Sequence, residues 1–177
     1  NPDIHFKLSD YTTLCRYVVS DQVIFVRKDS AYKSFADVIA DAKKRPGQVT
    51  VATIGAGTQS QFIVDLMKLH AGIDISVLPY KGGGELIVSV MGGQVGFGIQ
   101  GLSPLLALLK SGDLRALAST TGNKRIKGFP SVPTMGESGY PEVSLPSYSY
   151  GYFLPKNTPK PIVDKLAAAF EKVIKSP

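Results

Sequence analysis

Apolar residues in this chain come in short runs, and glycine, proline and small polar residues separate them. Arg16 to Val26 is β-branched and apolar except at Asp21-Gln22, which predicts a strand or a bent pair of strands. Ser34 precedes Phe35-Ala36-Asp37, a helix start with an acid in its first turn. Arg45-Pro46-Gly47 ends that helix, because neither proline nor glycine continues it comfortably. Val49 to Thr53 is a short β-branched strand running straight into Gly55-Ala56-Gly57-Thr58. Phe62, Leu66 and Leu69 then fall at helical spacing with Ile63 and Met67 beside them, and Gly72 closes the helix. The alternation continues with a strand over Ile75–Leu78, a helix over Leu86–Met91, a strand over Val95–Ile99, a helix over Ser103–Lys110 and a strand over Leu114–Ser119.

Strands that alternate with helices through links of a few residues are expected to lie parallel, with the crossover helices on both faces of one sheet. The predicted fold class is therefore an open α/β sheet with helices on both faces. From Asn123 to Pro146 the pattern gives way to a Pro-, Gly- and Ser-rich loop in which Met135-Gly136-Glu137-Ser138 forms one turn. Tyr148–Phe153 then predicts a strand, and Thr158–Ile174 a last helix with Pro159 near its first turn.

Composition changes this picture little. In 177 residues, 44% hydrophobic and 19% charged leaves ample material for a packed core, which argues against disorder. The net charge of +6 is not gathered into a nucleic-acid stripe. Its densest runs, Lys43-Lys44-Arg45 and Lys124-Arg125-Ile126-Lys127, stand far apart beside turn residues and read as solvated helix ends or loops. A mildly positive field would still speed the arrival of small anions. No apolar stretch approaches the ~20 residues that cross a bilayer. The opening Asn1-Pro2-Asp3-Ile4-His5 resembles neither a signal peptide nor a natural start, so the chain is expected to begin inside a longer gene product.

Candidate chemistry sits in three loops, because open α/β sheets bind ligands outside the carboxyl ends of their strands. The first is Gly55-Ala56-Gly57-Thr58-Gln59-Ser60-Gln61: its glycines let backbone approach a ligand, Thr58 and Ser60 supply hydroxyls, and the following helix N-terminus favours an anion. Equally, the glycines could make only a tight turn, with Thr58 as a helix cap. The second is Tyr80-Lys81-Gly82-Gly83-Gly84, where Lys81 either neutralises a carboxylate or projects into solvent. The third is Gln100-Gly101-Leu102-Ser103, in which Gln100 could hydrogen-bond a ligand and Ser103 reads as an N-cap with Pro104 at the first helical position. The first loop lacks the Lys-Ser/Thr of a Walker motif and the third glycine of a dinucleotide fingerprint.

Catalytic and metal constellations are hard to assemble. Cys15, His5 and His70 are scattered, so neither a disulfide nor a metal cage is expected, and both histidines read as surface residues. The carboxylates are dispersed, and the aromatics are too scattered for a base-stacking platform. No cofactor is expected, and what remains is a binder of small anions.

Seven stretches in one order carry a family resemblance. They are Gly55-Ala56-Gly57-Thr58 through Leu66, Ala71-Gly72-Ile73, Leu78-Pro79-Tyr80-Lys81-Gly82-Gly83-Gly84, Gly92-Gly93-Gln94-Val95, Lys110-Ser111-Gly112-Asp113-Leu114-Arg115-Ala116-Leu117-Ala118, Val132-Pro133-Thr134-Met135-Gly136-Glu137-Ser138-Gly139 and Pro155-Lys156-Asn157-Thr158-Pro159. From about Val23 onward the chain resembles the extracytoplasmic solute receptors of tripartite tricarboxylate transporters, the Bug receptors. The resemblance implies a periplasmic-binding-protein-like fold of two lobes that close on a small carboxylate. It implies residues 1–22 as a crossover from a first lobe, 23–121 as the second ligand-binding lobe, and 122–177 as a return segment and part of the first lobe. The implied ligand residues are Gly55–Gln61 and Tyr80, Lys81, Gly82 and Gly83, with Gln100 and Gly101 less firmly placed. The chain departs from many relatives at Gln61, where they have histidine, at Gly96, where they have aspartate, and in having no tryptophan near Tyr148 or Tyr150.

The resemblance further implies a periplasmic receptor that hands its ligand to membrane permease subunits, with no nucleic acid as partner. A half-receptor with an open cleft face is also a candidate for dimerisation. Two other readings compete: a sensor or regulatory domain built on the same binding lobe, and an enzyme of small-acid metabolism, which the shortage of catalytic residues disfavours.

Overall fold

The computed structural model describes residues 6–122 and 124–176, so the expectation for His5 lies outside the described residues. The chain divides into two compact units, one of Ser20–Ser147 and one that combines the residues up to Val19 with those from Tyr148 onward.

In the larger unit the elements are β2 (Gln22–Arg27), α1 (Phe35–Lys44), β3 (Thr50–Thr53), α2 (Gln59–Ala71), β4 (Ser76–Pro79), α3 (Gly83–Met91), β5 (Phe97–Gly101), α4 (Leu106–Ser111) and β6 (Leu114–Ser119); β1 (Tyr11–Ser20) precedes them. The strands form one sheet in the order β4-β3-β5-β2-β6. β3 is parallel to both β4 and β5, as crossover helices require. β2 departs from the all-parallel expectation and lies antiparallel between β5 and β6. It follows β1 with only Asp21 between them, so no crossover helix dictates its direction.

The core has two layers because helices cover both faces of the sheet. Ile24 and Val26 of β2 join Val38 and Ile39 of α1 and Ile63, Val64 and Met67 of α2 on one face. Val23 and Phe25, the alternate residues of the same strand, join Leu86, Ile87 and Val90 of α3 on the other. A strand buried on both faces must be apolar at every position, which is why Val23–Val26 reads as a continuous run rather than an alternation. Each such side chain contributes roughly 1.5–3 kcal/mol on leaving water.

Local chemistry fixes the element ends. The Ser34 hydroxyl accepts the Asp37 N–H at 3.3 Å, while the Asp37 carboxylate accepts the Ser34 N–H at 2.8 Å, a reciprocal cap for α1. Ser103 is not the cap its sequence suggests. The chain enters there already helical at Leu102 and makes a 3₁₀ turn over Ser103–Leu105 before α4, with no side-chain cap. Residues 124–147 wrap the sheet without adding a named strand: Ile126 packs into the α3-side core, and Met135 and Val143 into the α1/α2-side core. The expected turn is present, with Ser138 N–H donating to the Thr134 carbonyl at 3.0 Å.

The smaller unit holds β1 and β7 (Tyr148–Pro155) in a two-stranded sheet, together with α5 (Lys160–Ile174). Tyr17 stacks on Tyr152 at 5.0 Å between ring centres, and Tyr152 meets Phe170 of α5 at 4.5 Å. Among the described residues, no helix is long and apolar enough to cross a membrane.

One acid at the end of α1 makes stability pH-dependent. The Arg45 guanidinium and, second, the Tyr32 hydroxyl (2.5 Å from Oδ2) hold Asp41 down at about 2. A carboxylate with a depressed folded pKa stabilises the fold above its ordinary pKa, and that contribution is lost as pH falls through the folded value. The wild-type chain should therefore lose stability between pH 4 and pH 2 more steeply than Asp41→Asn. Urea midpoints measured across that range would show it; parallel slopes for the two proteins would contradict the assignment.

Candidate functional site

The parallel trio β4-β3-β5 sets the site, because their carboxyl ends lie side by side. Thr53 pairs with Pro79, and Ala52 pairs with both Leu78 and Gly98. The Gly55–Gln61 loop leaves β3, the Tyr80–Gly82 turn leaves β4, and Gln100 and Gly101 end β5. The Tyr80 N–H donates to the Thr53 carbonyl at 2.8 Å and ties the first two loops together. Gly83 brings in the third: a Cβ built on it would lie 1.9 Å from the Gln100 side-chain nitrogen, so a larger residue would push that amide aside.

The first loop folds on its own hydroxyls. Gly55 and Gly57 have φ of 99° and 75°, left-handed conformations that favour glycine. The Thr58 hydroxyl donates to the Gly55 carbonyl at 2.7 Å and lies 3.0 Å from the Ser60 hydroxyl, which accepts the Ile54 N–H at 3.3 Å. Thr58 occupies the N-cap of α2 but makes no side-chain cap bond. Ser60 is only 1% exposed and faces inward, whereas Ala56 and Gly57 are exposed. Gln59 donates to the Pro146 carbonyl at 2.6 Å, and Gln61 to Asp65 at 2.8 Å.

The second loop is shorter than its sequence suggests. Gly82 is the N-cap, and Gly83 and Gly84 already belong to the first turn of α3. The Tyr80 hydroxyl is hydrogen-bonded to Ser89 two turns along that helix. Lys81 is exposed and forms no ion pair among the described residues. Gln100 and Gly101 are strand residues, both buried, because β5 starts and ends two residues later than its apolar pattern predicts. The Gln100 side-chain oxygen accepts the Gly101 N–H at 3.0 Å. No sequence signal marks Ser89 or Pro146 as partners of these loops, since both are brought in by the fold.

Chemically, the arrangement offers two uncapped helix N-termini at adjacent strand ends. The first N–H groups of α2 and α3 have no partner within their helices, and the helix dipole places partial positive charge there. Neither N-cap supplies a side-chain acceptor, so these donors suit an external anion. His70 stands at the far end of α2, exposed, and Cys15 lies in the other unit. Among the described residues, no group of His, Cys, Asp and Glu could hold a metal ion.

Comparison with known proteins agrees with this architecture. The model of the tripartite tricarboxylate transporter family receptor matches residues 1–177. BugT of Bordetella pertussis is 41% identical over 127 residues, covering 71% of this chain and 38% of that protein. A solved periplasmic transporter superposes with a TM-score of 0.88 at 27% identity, covering 100% of this chain and 59% of that one. An R. palustris protein solved with adipate gives a TM-score of 0.81 at 30% identity, covering 91% of this chain and 54% of that one. The chain spans 38% of BugT and 51% of a second relative, from Agrobacterium vitis. Fold, loop order and family model thus converge, and the chain belongs to the tripartite tricarboxylate transporter receptor family, whose members are solute-binding proteins.

Proposed function

We propose that this chain is the ligand-binding part of a periplasmic receptor that captures a small carboxylate for uptake, hands it to membrane permease subunits and catalyses nothing. The observation that carries the reading is the pair of uncapped helix N-termini, α2 and α3, at neighbouring strand ends with Lys81 beside them. A carboxylate there accepts backbone N–H bonds from Gly57–Gln61 and Gly82–Gly84 while Lys81 supplies a full positive charge. Tyr80, Ser60 and Gln100 act behind these groups by holding the loops in place. In this reading the unit of Ser20–Ser147 forms one lobe, and the segments on either side of it belong to another lobe. The relative solved with adipate supports a dicarboxylate as ligand. In the whole receptor, contacts made only in the closed form would shift the population toward closure.

The test is calorimetric titration of the chain with adipate and malate. Lys81→Met should weaken binding about tenfold, the loss of one charge-assisted contact worth ~1.4 kcal/mol, with no change in urea midpoint. Absence of binding by every carboxylate tried, with the fold intact, would overturn the proposal.

A further inference from the structure

We propose that the larger unit docks an extended, acidic peptide segment of a second protein along the free edge of β6, where the segment adds antiparallel as one more strand. The sheet ends at β6, since its order is β4-β3-β5-β2-β6. Leu114 pairs with Arg27, the last residue of β2, whereas Gln22, the first, pairs with Gly101 beside the carboxylate site. Leu114 therefore lies at the opposite end of the sheet, roughly 17 Å along β2 from that site. The inference does not rest on the receptor reading.

The edge carries unused backbone groups. The Lys28 N–H donates to the Asp113 carbonyl at 3.0 Å, so Asp113 turns its backbone towards β2. Backbone direction alternates along a strand, so Arg115 does the same, and Leu114 and Ala116 present their N–H and C=O groups outward. These outward groups have no partner among the described residues. Farther along, the chain covers its own edge: the Ser119 N–H donates to the Pro133 carbonyl at 2.8 Å, and the Ser119 carbonyl accepts the Met135 N–H at 2.9 Å. Before Pro133 the chain turns away, with the Val132 N–H donating to the Phe129 carbonyl at 3.1 Å. What it leaves is a groove of about 340 Å³ whose lining includes Leu109, Leu114, Arg115, Ala116, Phe129 and Val132.

Side-chain chemistry selects the occupant. Leu114 and Ala116 face the α3-side core, where Leu109 and Phe129 also pack. Arg115 faces the other way, and its guanidinium donates to the Tyr32 carbonyl at 3.3 Å and to the Lys28 carbonyl at 2.7 Å. Arg27 pairs with Asp29 and Lys28 with Asp113, which leaves Arg115 without a carboxylate among the described residues. A second copy of this chain is disfavoured, because antiparallel pairing of two β6 edges would bring Arg115 close to its counterpart. An incoming apolar-acidic-apolar segment fits instead. Its acid lies opposite Arg115, and the apolar residues on either side exchange backbone hydrogen bonds with Leu114 and Ala116 while their side chains lie towards Leu109 and Phe129. The open stretch is short, so affinity should be modest, with a dissociation constant on the order of 1 mM.

The test follows backbone amide signals of the full chain by NMR during titration with the peptide acetyl-Thr-Val-Glu-Val-Thr-amide. The Leu114 and Ala116 amides should shift downfield as they gain acceptors, while those of Gln59–Gln61 stay in place. N-methylation of both valines removes the donors that face β6 and should abolish the response. N-methylation of the glutamate, whose N–H points away from β6, should leave it intact. Lysine in place of the glutamate, or Arg115→Met in the chain, should weaken binding about tenfold. Arg115 also ties down two carbonyls, so the peptide variants carry the test if Arg115→Met fails to fold. No shift at Leu114 and Ala116, a response that survives methylation of the valines, or equal binding of the lysine peptide would overturn the proposal. The same shifts on raising the chain concentration without peptide would overturn it too, by assigning the edge to a second copy.

Discussion

Replacing Gly98 by alanine should destabilise the larger unit by about 3 kcal/mol, the upper end of what overpacking a dense core usually costs. Gly98 sits in β5 directly opposite Phe25 of β2. A Cβ there would stand 2.8 Å and 2.9 Å from two Phe25 ring carbons and 2.9 Å from a Val90 methyl. All three residues are buried, and Phe25 and Val90 are fully so, which leaves the ring no direction in which to retreat. The measurement is the urea midpoint at unchanged slope. Phe25→Leu added to Gly98→Ala should recover more than half of the loss, because it removes the ring atoms that clash. A change within 0.5 kcal/mol for the single variant, or no recovery in the double variant, would mean that β2 and β5 are not packed in this register.

The second large effect is expected at Ser60, where stability and ligand binding should fall together. Ser60→Ala removes the acceptor of the Ile54 N–H and the partner of the Thr58 hydroxyl in a place that water does not reach. A buried donor left unsatisfied costs roughly 1–3 kcal/mol, so a loss near 2 kcal/mol is expected. The same change frees the Gly55–Thr58 turn and should weaken adipate binding as well. Lys81→Met makes the contrast, since it should alter affinity alone. Denaturation and titration of the two variants side by side separate a residue that shapes the loop from one that meets the ligand. If Ser60→Ala left stability unchanged, its hydroxyl would be facing the ligand instead.

Comparison of the loops with their sequence readings shows which features of the candidate site are local and which are not. Glycine clusters after β-branched runs located the ends of β3 and β4, since backbone conformation is a local property, whereas the end of β5 fell two residues later than expected. What each side chain does there is not local. The Ser60 hydroxyl reads as a ligand donor until the strand before it is seen bonded to it. Gly83 reads as a flexible turn until Gln100, from the next strand, is seen pressed against it. Ser103 reads as a cap because Pro104 follows it, yet Leu102 has already begun a tighter turn.

The sequence by itself determined the alternation of strands and helices, the apolar strand that ends at Val26, the open α/β class and the family, because periodicity and turn chemistry act within a few residues. Tertiary structure alone decided that β2 runs antiparallel between β5 and β6. It also decided that Gln59 reaches Pro146. Those pairings join residues up to about a hundred positions apart. They are selected by which faces must be buried together, and no local window of the sequence contains that information.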